Sequence, residues 1–113
     1  MIKQIPSNEI ENYTKKNTNL VLLDVRTEEE WDIYGKPDGE NLDLKTYFLT
    51  IKDENFFNEF KDLLISKDCE ILTMCKVGQR SQFVAQLLAK ENYTCINISD
   101  GFDGWMSSNL PCL

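Results

Sequence analysis

The hydrophobic positions of this chain fall into short apolar runs separated by segments with helical periodicity. Residues 20–25 (LVLLDV) and 70–74 (EILTM) are apolar nearly throughout, which is typical of strands covered on both faces of a sheet. Residues 94–98 (TCINI) predict another strand, and residues 2–5 (IKQI) predict a short first strand. Residues 34–44 (YGKPDGENLDL) indicate a turn followed by a further short strand.

Helical signals occupy the intervals between these runs. Ser7 is a suitable N-cap for a helix that extends to about Lys16. Thr27 and Glu30 have the spacing of a capping box at the start of a second helix. Two further helices are predicted, one with an apolar face formed by Phe56, Phe57, Phe60, Leu63 and Leu64 and one with Val84, Leu87 and Leu88 at helical spacing.

The alternation of strand and helix predicts the fold class. It indicates an α/β protein with a mainly parallel sheet, and the length of 113 residues suits a single domain spanning residues 1–113. Ligands of such open sheets bind beyond the carboxyl ends of the strands. Cys75 directly follows Met74 at such an end.

Composition narrows the range of partners. The net charge is −7 and the chain has no Lys/Arg cluster, so we expect no binding to nucleic acid. No apolar run reaches the length of a signal peptide core or a membrane span, which predicts a cytoplasmic protein with no membrane partner. In that reducing compartment the four cysteines are not expected to form structural disulfides. Since the chain also has no histidine and no C-x-x-C pair, we expect no metal and no cofactor.

Residues 75–80 (CKVGQR) carry the candidate chemistry. A lone cysteine is more often a small core residue than a nucleophile, but its neighbours here favour an anionic sulfur. Gly78 permits a tight curl in which successive backbone N–H groups form an anion nest. The following helix contributes the positive end of its dipole, and Lys76 and Arg80 add positive charge. Such surroundings lower the pKa of a thiol below its ordinary value of about 8.5.

The absence of histidine excludes two familiar mechanisms. A Cys–His pair and a Ser–His–Asp triad both require an imidazole. The backbone of the loop would therefore have to activate Cys75. This suits attack on an already activated sulfur atom, because no poor leaving group then needs a proton.

The segments around this loop resemble the rhodanese family. In that family a cysteine opens a six-residue loop, commonly C-x-x-G-x-R, ahead of a helix, and CKVGQRS has this form. Residues 22–31 (LLDVRTEEEW) resemble the family's D-V-R-x-x-x-E-aromatic segment. Residues 97–105 (NISDGFDGW), followed by NLP, resemble its closing segment. The resemblance covers roughly residues 2 to 111.

The resemblance implies a rhodanese-like fold, with a central, mostly parallel, five-stranded sheet flanked by helices on both faces. It also implies a thiosulfate sulfurtransferase-like enzyme. Cys75 would take a sulfane sulfur from a small anionic donor such as thiosulfate, and its persulfide would pass the sulfur to cyanide, a thiol or a protein acceptor. The backbone amides of Lys76, Val77, Gly78, Gln79 and Arg80 would hold the persulfide, and the Arg80 and Lys76 side chains would attract the donor.

Three supporting residues follow from position. Asp24 and Arg26 come directly after a buried strand and are interpreted as a polar pair that orients the loop. Ser81 lies at the start of the helix after the loop. Cys112 is a candidate resolving thiol for the persulfide, although a tail cysteine without a role is the simpler interpretation.

Two alternatives stay open. One is a persulfide carrier that is loaded by a cysteine desulfurase and turns over little thiosulfate. The other is a phosphatase or arsenate reductase on the same fold. Those relatives have five residues between cysteine and arginine, whereas four separate Cys75 from Arg80, and the smaller ring favours sulfur. The chain also departs from the family pattern at Lys36, where many members have histidine, and at Gly101 and Gly104, which are not adjacent.

Overall fold

A five-stranded sheet forms the centre of the protein, seen here in a computed structural model that describes residues 1–113. The strand order is β1-β5-β4-β2-β3, and every neighbouring pair is parallel. The predicted α/β class with a parallel five-stranded sheet is therefore confirmed. The strands are β1 (Lys3–Ile5), β2 (Leu20–Asp24), β3 (Lys45–Phe48), β4 (Glu70–Met74) and β5 (Thr94–Ile98).

Five helices connect the strands and cover both faces of the sheet. They are α1 (Ile10–Lys16), α2 (Glu28–Tyr34), α3 (Phe56–Lys61), α4 (Gln79–Lys90) and α5 (Gly101–Ser107). Short 3₁₀ turns precede α1 at Ser7–Glu9 and β3 at Gly39–Leu42. None of the helices is long and apolar enough to cross a lipid bilayer.

The central strands are apolar on both sides because each side packs under helices. Alternate residues of β2 enter two separate clusters, with Val21 and Leu23 in one and Leu20 and Leu22 in the other. The first cluster also holds the buried side chains of α3 and α4 (Phe56, Phe60, Val84, Ala85 and Leu88). The second holds those of α1 and α5 (Ile10, Phe102 and Trp105). This arrangement explains the unbroken apolar run of residues 20–25.

Three local predictions differ from the structure. Helix α3 ends at Lys61, and Leu64 lies beyond it with a φ of 57° and 86% exposure, so Leu64 is not part of the apolar face. The short strand after the turn begins only at Lys45, because residues 39–42 form a 3₁₀ turn. Ser7 does not cap α1, since its hydroxyl donates to Asp100 Oδ1 at 2.8 Å. The capping box of Thr27 and Glu30 at α2 is confirmed.

The sheet brings three chain segments to one edge. Strands β2, β4 and β5 are adjacent and parallel, so their carboxyl ends meet there. Asp24 closes β2, Cys75 follows β4, and Ser99 follows β5. Cys75 is thus at the kind of position where open α/β sheets bind ligands.

Candidate active site

Cys75 is buried at the carboxyl end of β4. Its relative exposure is 1%, and it belongs to the hydrophobic cluster under α3 and α4. Burial alone fits the interpretation of Cys75 as a core residue. The polar groups that surround its sulfur distinguish Cys75 from an ordinary core cysteine.

The loop after Cys75 curls so that hydrogen-bond donors converge on Sγ. The Gly78 N–H donates to Sγ at 3.1 Å, and the Ser81 hydroxyl lies 3.3 Å from it. The backbone N–H groups of Val77 and Ser81 also act to lower the pKa of Cys75. Helix α4 begins at Gln79, directly after this loop, so Ser81 belongs to its first turn. One backbone N–H of the predicted anion nest, that of Gly78, thus contacts the sulfur directly.

Gly78 makes this curl possible. Its φ is 101°, in the region that favours glycine, and a Cβ there would lie 2.4 Å from the carbonyl oxygen of Ser99. The loop therefore packs directly on the backbone that follows β5. A side chain at position 78 would meet both a strained backbone and a steric clash.

These contacts set the state of the thiol. Burial raises the pKa of Cys75, but the hydrogen bonds from the Ser81 hydroxyl and from the Ser81, Gly78 and Val77 amides outweigh it. The net result is a pKa below the ordinary value for cysteine. Cys95, which is also buried but has no such donors, shows the opposite behaviour, because burial raises its pKa to about 12.

The start of α5 holds the other side of the loop. The Phe102 N–H donates to the carbonyl oxygen of Cys75 at 2.8 Å, and the Asp103 N–H donates to that of Lys76 at 3.1 Å. Gly101 permits this approach, since a Cβ there would lie 2.4 Å from the Lys76 carbonyl oxygen. The closing segment, although its glycines are separated, thus contributes directly to the position of the cysteine loop.

Asn97 on β5 forms a second layer of polar contacts behind the sulfur. It is 2% exposed, its Oδ1 lies 2.6 Å from Ser81 Oγ, and its Nδ2 donates to the carbonyl oxygen of Gly78 at 3.0 Å. Thr73 Oγ1 also donates to Asn97 Oδ1. Asn97 was not among the predicted site residues. The feature that could have indicated it is the presence of one amide side chain within the otherwise apolar end of the strand TCINI.

Each of the two cations predicted to attract the donor is paired with a carboxylate. Arg80 contacts both carboxylate oxygens of Glu30, at 2.7 and 2.8 Å. Lys76 Nζ lies 3.0 Å from both carboxylate oxygens of Asp103 and 4.9 Å from the centre of the Tyr34 ring. Both cations were predicted to attract the donor, and neither carboxylate partner was predicted. Glu30 was predicted as part of a helix cap and as a position of the D-V-R-x-x-x-E segment, and Asp103 was given no role.

Asp24 and Arg26 form a fully buried ion pair, with Arg26 Nη2 at 2.8 Å from Asp24 Oδ2. Arg26 also donates to the carbonyl oxygen of Gly35 at 2.9 Å and stacks 4.0 Å from the centre of the Phe102 ring. It therefore links the end of α2 to α5, whose first residues hold the cysteine loop. This contact fits the predicted supporting position of the pair.

The remaining candidates lie at the surface. The Gln79 side chain is exposed to solvent. Only the backbone of Gln79, at the start of α4, forms part of the cysteine loop. Cys112 is exposed, and its tail pairs with Pro37 through an isolated antiparallel bridge. All four cysteines are unpaired. No group of three or more Cys, Asp or Glu side chains is placed to hold a metal ion.

Fold and site together define a parallel α/β protein with a cysteine in an amide-lined loop at the carboxyl edge of its sheet. The Rhodanese-like domain family model matches residues 8–108 of the sequence. The chain therefore belongs to the rhodanese-like domain family.

Relatives extend over almost the whole chain. An uncharacterized protein of Rickettsia prowazekii is 37% identical over 120 aligned positions, which cover 98% of this chain and 97% of the relative. A solved structure from M. tuberculosis has a TM-score of 0.82 at 23% identity, covering 98% of this chain and 96% of that one.

Two structural neighbours carry different functional descriptions. The polysulfide-sulfur transferase homodimer of Wolinella succinogenes has a TM-score of 0.81 at 19% identity and covers 99% of this chain and 78% of its own. A Rhodopseudomonas palustris protein described as a possible tyrosine phosphatase has a TM-score of 0.70 at 17% identity, covering 99% and 85%. At these identities the likeness concerns the fold alone.

Proposed function

We propose that this protein is a sulfurtransferase in which Cys75 accepts a sulfane sulfur and passes it, as a persulfide, to a thiol or protein acceptor. The observation that carries the proposal is the pair of donors on Cys75 Sγ, the Gly78 N–H and the Ser81 hydroxyl, in a loop whose contacts lower the pKa of the thiol. Free thiolates of this kind belong in a reducing compartment such as the cytoplasm. Cys75 is the nucleophile, and the backbone from Lys76 to Arg80 forms the binding loop.

The chemistry needs no proton donor. With thiosulfate, the Cys75 thiolate attacks the outer sulfur, a new Sγ–S bond forms, and the sulfur–sulfur bond of the donor breaks. Its electron pair leaves with sulfite, and the negative charge passes to the outer sulfur of the Cys75 persulfide. The loop amides that stabilise the thiolate are placed to stabilise this anion as well, which is electrostatic stabilisation by preorganised dipoles. Attack by an acceptor thiolate on the outer sulfur then restores Cys75.

A phosphatase is the competing function on this fold, and two features argue against it. Four residues separate Cys75 from Arg80, which gives a small loop. In addition, Glu30 holds both terminal nitrogens of Arg80, so this guanidinium does not face the loop as a free partner for a tetrahedral dianion. Membership of the family and the existence of a polysulfide-sulfur transferase with a similar fold support sulfur chemistry.

Sulfur loading of the purified protein tests the proposal. The reduced protein is incubated with thiosulfate, with inorganic polysulfide or with a cysteine desulfurase plus cysteine, and intact mass and peptide mapping locate any added sulfur. We expect one sulfur on Cys75 from at least one donor, none in Cys75→Ser, and wild-type loading in the control variant Cys112→Ser. Equal loading of wild type and Cys75→Ser would refute the assignment. So would hydrolysis of an aryl phosphate that depends on Cys75 in the absence of sulfur loading.

The same assay separates an enzyme from a carrier. Loading by thiosulfate with repeated turnover to a small thiol indicates an enzyme that uses free donors. Loading by the desulfurase alone indicates a module that receives persulfide from a protein partner.

A further inference from the structure

An apolar groove lies between helix α4 and the segment that leads from β3 into α3. It has a volume of about 670 Å³, and its apolar side chains are Ile51, Phe56, Phe57, Phe83 and Leu87. Arg80 is the only residue of the cysteine loop that lines it. The groove is therefore separate from the sulfur of Cys75, and the proposed function makes no use of it.

One wall of the groove is a continuous stripe along α4. Arg80, Phe83, Leu87 and Glu91 follow one another at spacings of three or four residues, so they share one face of the helix. The stripe covers three turns, or about 16 Å at 1.5 Å per residue. It is distinct from the face of α4 that packs on the sheet, which holds Ser81, Val84, Ala85 and Leu88.

The apolar side chains of the groove are only partly covered. Phe83 is 54% exposed, and Ile51, Phe57 and Leu87 are half-buried. Single exposed apolar residues are common on protein surfaces, but a contiguous apolar patch with a charged rim marks a site of interaction. The groove thus offers a surface that gains from being covered.

The charges at the rim select the occupant. Three carboxylates line the groove, those of Asp53, Glu54 and Glu91. None of them forms an ion pair within the protein. Of the two cations at the rim, Arg80 is paired with Glu30, which leaves Lys52 as the only unpaired one. Complementary charge therefore requires an occupant with an apolar centre and basic flanks.

The walls also select the shape of the occupant. None of the lining residues belongs to a strand, so the groove offers no free sheet edge for an extended peptide to pair with. A helix needs no such edge, because its anchors at positions i, i+4 and i+7 are side chains. A second copy of this chain matches poorly, since each copy carries a charge of −7 and the same acidic rim.

We propose that this groove is a docking site for a partner protein, which inserts an amphipathic helix whose apolar stripe is flanked by lysine or arginine. The apolar anchors of that helix pack on Phe57, Phe83 and Leu87. Its basic residues meet Glu54 and Glu91 at the rim. The contact lies outside the cysteine loop and does not depend on the chemistry at Cys75.

Three labelled helical peptides of about 16 residues test the proposal. The first has leucines along one face and lysines beside them, the second replaces every lysine by glutamate, and the third replaces every leucine by serine. Fluorescence anisotropy measures their binding to the whole protein. We expect a Kd of about 10–100 µM for the first peptide and binding at least about tenfold weaker for the other two. Amide chemical shifts should place the first peptide on residues 51–57 and on α4.

A matched pair of variants tests the apolar wall. Phe83→Ser should weaken binding of the leucine–lysine peptide about tenfold, because the ring is the most exposed apolar group of the groove. Met106→Ser is the control, since Met106 is 51% exposed but lies on α5, which packs on the opposite face of the sheet. It should leave the affinity unchanged. Sulfur loading of Cys75 should be the same in both variants and in the wild type.

A second pair tests the charged rim. The double variant Glu54→Gln/Glu91→Gln should weaken binding of the same peptide about three- to tenfold and reduce its dependence on salt. The control Glu9→Gln/Glu11→Gln changes the net charge equally at exposed positions at the start of α1, on the opposite face of the sheet. It should change the affinity less than about twofold.

Each contrary result overturns the docking site. Equal binding of the lysine and glutamate peptides would show that the rim does not select charge. Binding that Phe83→Ser and Met106→Ser reduce equally, or that neither reduces, would place the peptide elsewhere on the acidic surface. A dimer seen by analytical ultracentrifugation and lost in Phe83→Ser would identify a second copy as the occupant. In all these cases loading of Cys75 is measured separately, so the sulfurtransferase function stands or falls on its own.

Discussion

The hydroxyl oxygen of Ser81 lies 2.6 Å from Asn97 Oδ1 and 3.3 Å from Cys75 Sγ. A hydroxyl carries a single proton, so Ser81 cannot donate to the amide oxygen and to the sulfur at the same time. When Cys75 is a thiol, its S–H can donate to Ser81 while Ser81 donates to Asn97. When Cys75 is a thiolate, the Ser81 proton turns to the sulfur, and Asn97 Oδ1 keeps its bond from Thr73. The protonation state of Cys75 is therefore coupled to the direction of one buried hydroxyl.

Removing this hydroxyl should make Cys75 less acidic. Burial raises the pKa of Cys75 and the Ser81 hydroxyl is the first of the contacts that lower it, so Ser81→Ala should raise that pKa. A lost hydrogen bond to an anion corresponds to about 1.5 kcal/mol, or roughly tenfold less thiolate below the pKa. The pH dependence of Cys75 alkylation by iodoacetamide measures the change. Ser66→Ala, at an exposed loop position, should leave the profile of Cys75 where it is in the wild type.

A negative charge at position 97 should influence the same titration, because Asn97 contacts both Ser81 and Gly78. Asn97→Asp removes the Nδ2 donor to the Gly78 carbonyl and introduces a negative charge beside Ser81. A like charge disfavours the thiolate, so the pKa of Cys75 should rise. Alkylation kinetics against pH measure it, with Asn12→Asp on the exposed side of α1 as the charge-matched control. An alkylation profile that moves equally in both variants would show that the new carboxylate acts only through the net charge of the protein, and not through its place beside Ser81.

Gly78 should tolerate no side chain. In Gly78→Ala the Cβ would stand 2.4 Å from the Ser99 carbonyl oxygen at a φ of 101°, so the loop must shift and the Gly78 N–H must leave the sulfur. We expect destabilisation of about 1–3 kcal/mol and at least tenfold slower sulfur loading. Urea unfolding and loading rates check the two effects. Gly35→Ala is a matched control, because Gly35 has a φ of 91° but no atom near its Cβ position. Similar loading rates in both variants would contradict a special position for Gly78.

The sequence predicted the parts of this protein that depend on local pattern. Apolar runs and helical spacing located β2, β4, β5 and α4, and the CKVGQR loop predicted a cysteine surrounded by amides. It could not predict contacts between distant segments. Arg80 and Glu30 are separated by 50 positions, and Ser81 and Asn97 by 16, so nothing local indicates that they meet. The missed end of α3 has a different origin, because Leu64 continues the apolar spacing and yet the chain turns there with a positive φ.

The buried ion pair of Asp24 and Arg26 should be essential for stability, in contrast to the exposed ion pair of Lys76 and Asp103. Both side chains are fully buried, so Asp24→Asn leaves an uncompensated guanidinium in the interior and should cost about 3–5 kcal/mol. Asp103→Asn breaks the exposed contact with Lys76 and should cost less than about 1 kcal/mol. Urea unfolding of the two variants gives the comparison. Equal losses of stability would show that the buried pair does not bear on the folded state as its contacts suggest.

The Glu30–Arg80 pair should give the protein a stability that depends on acid pH. Hydrogen bonds from Arg80 outweigh burial and lower the pKa of Glu30 from 4.5 to about 2. Because the folded-state pKa is lower than the unfolded one, the contribution is complete above about pH 4.5 and is lost as the pH falls towards 2. Glu30→Gln should therefore reduce the free energy of unfolding by about 1–2 kcal/mol near pH 7, and this difference should shrink steadily below about pH 4.5.

Urea unfolding across this pH range measures the difference between Glu30→Gln and the wild type, and subtracting the result for Glu28→Gln removes the general effect of one carboxylate. A difference that persists undiminished to about pH 3 would mean that Glu30 stabilises the fold through its cap alone. Its pairing with Arg80 would then not exist in solution.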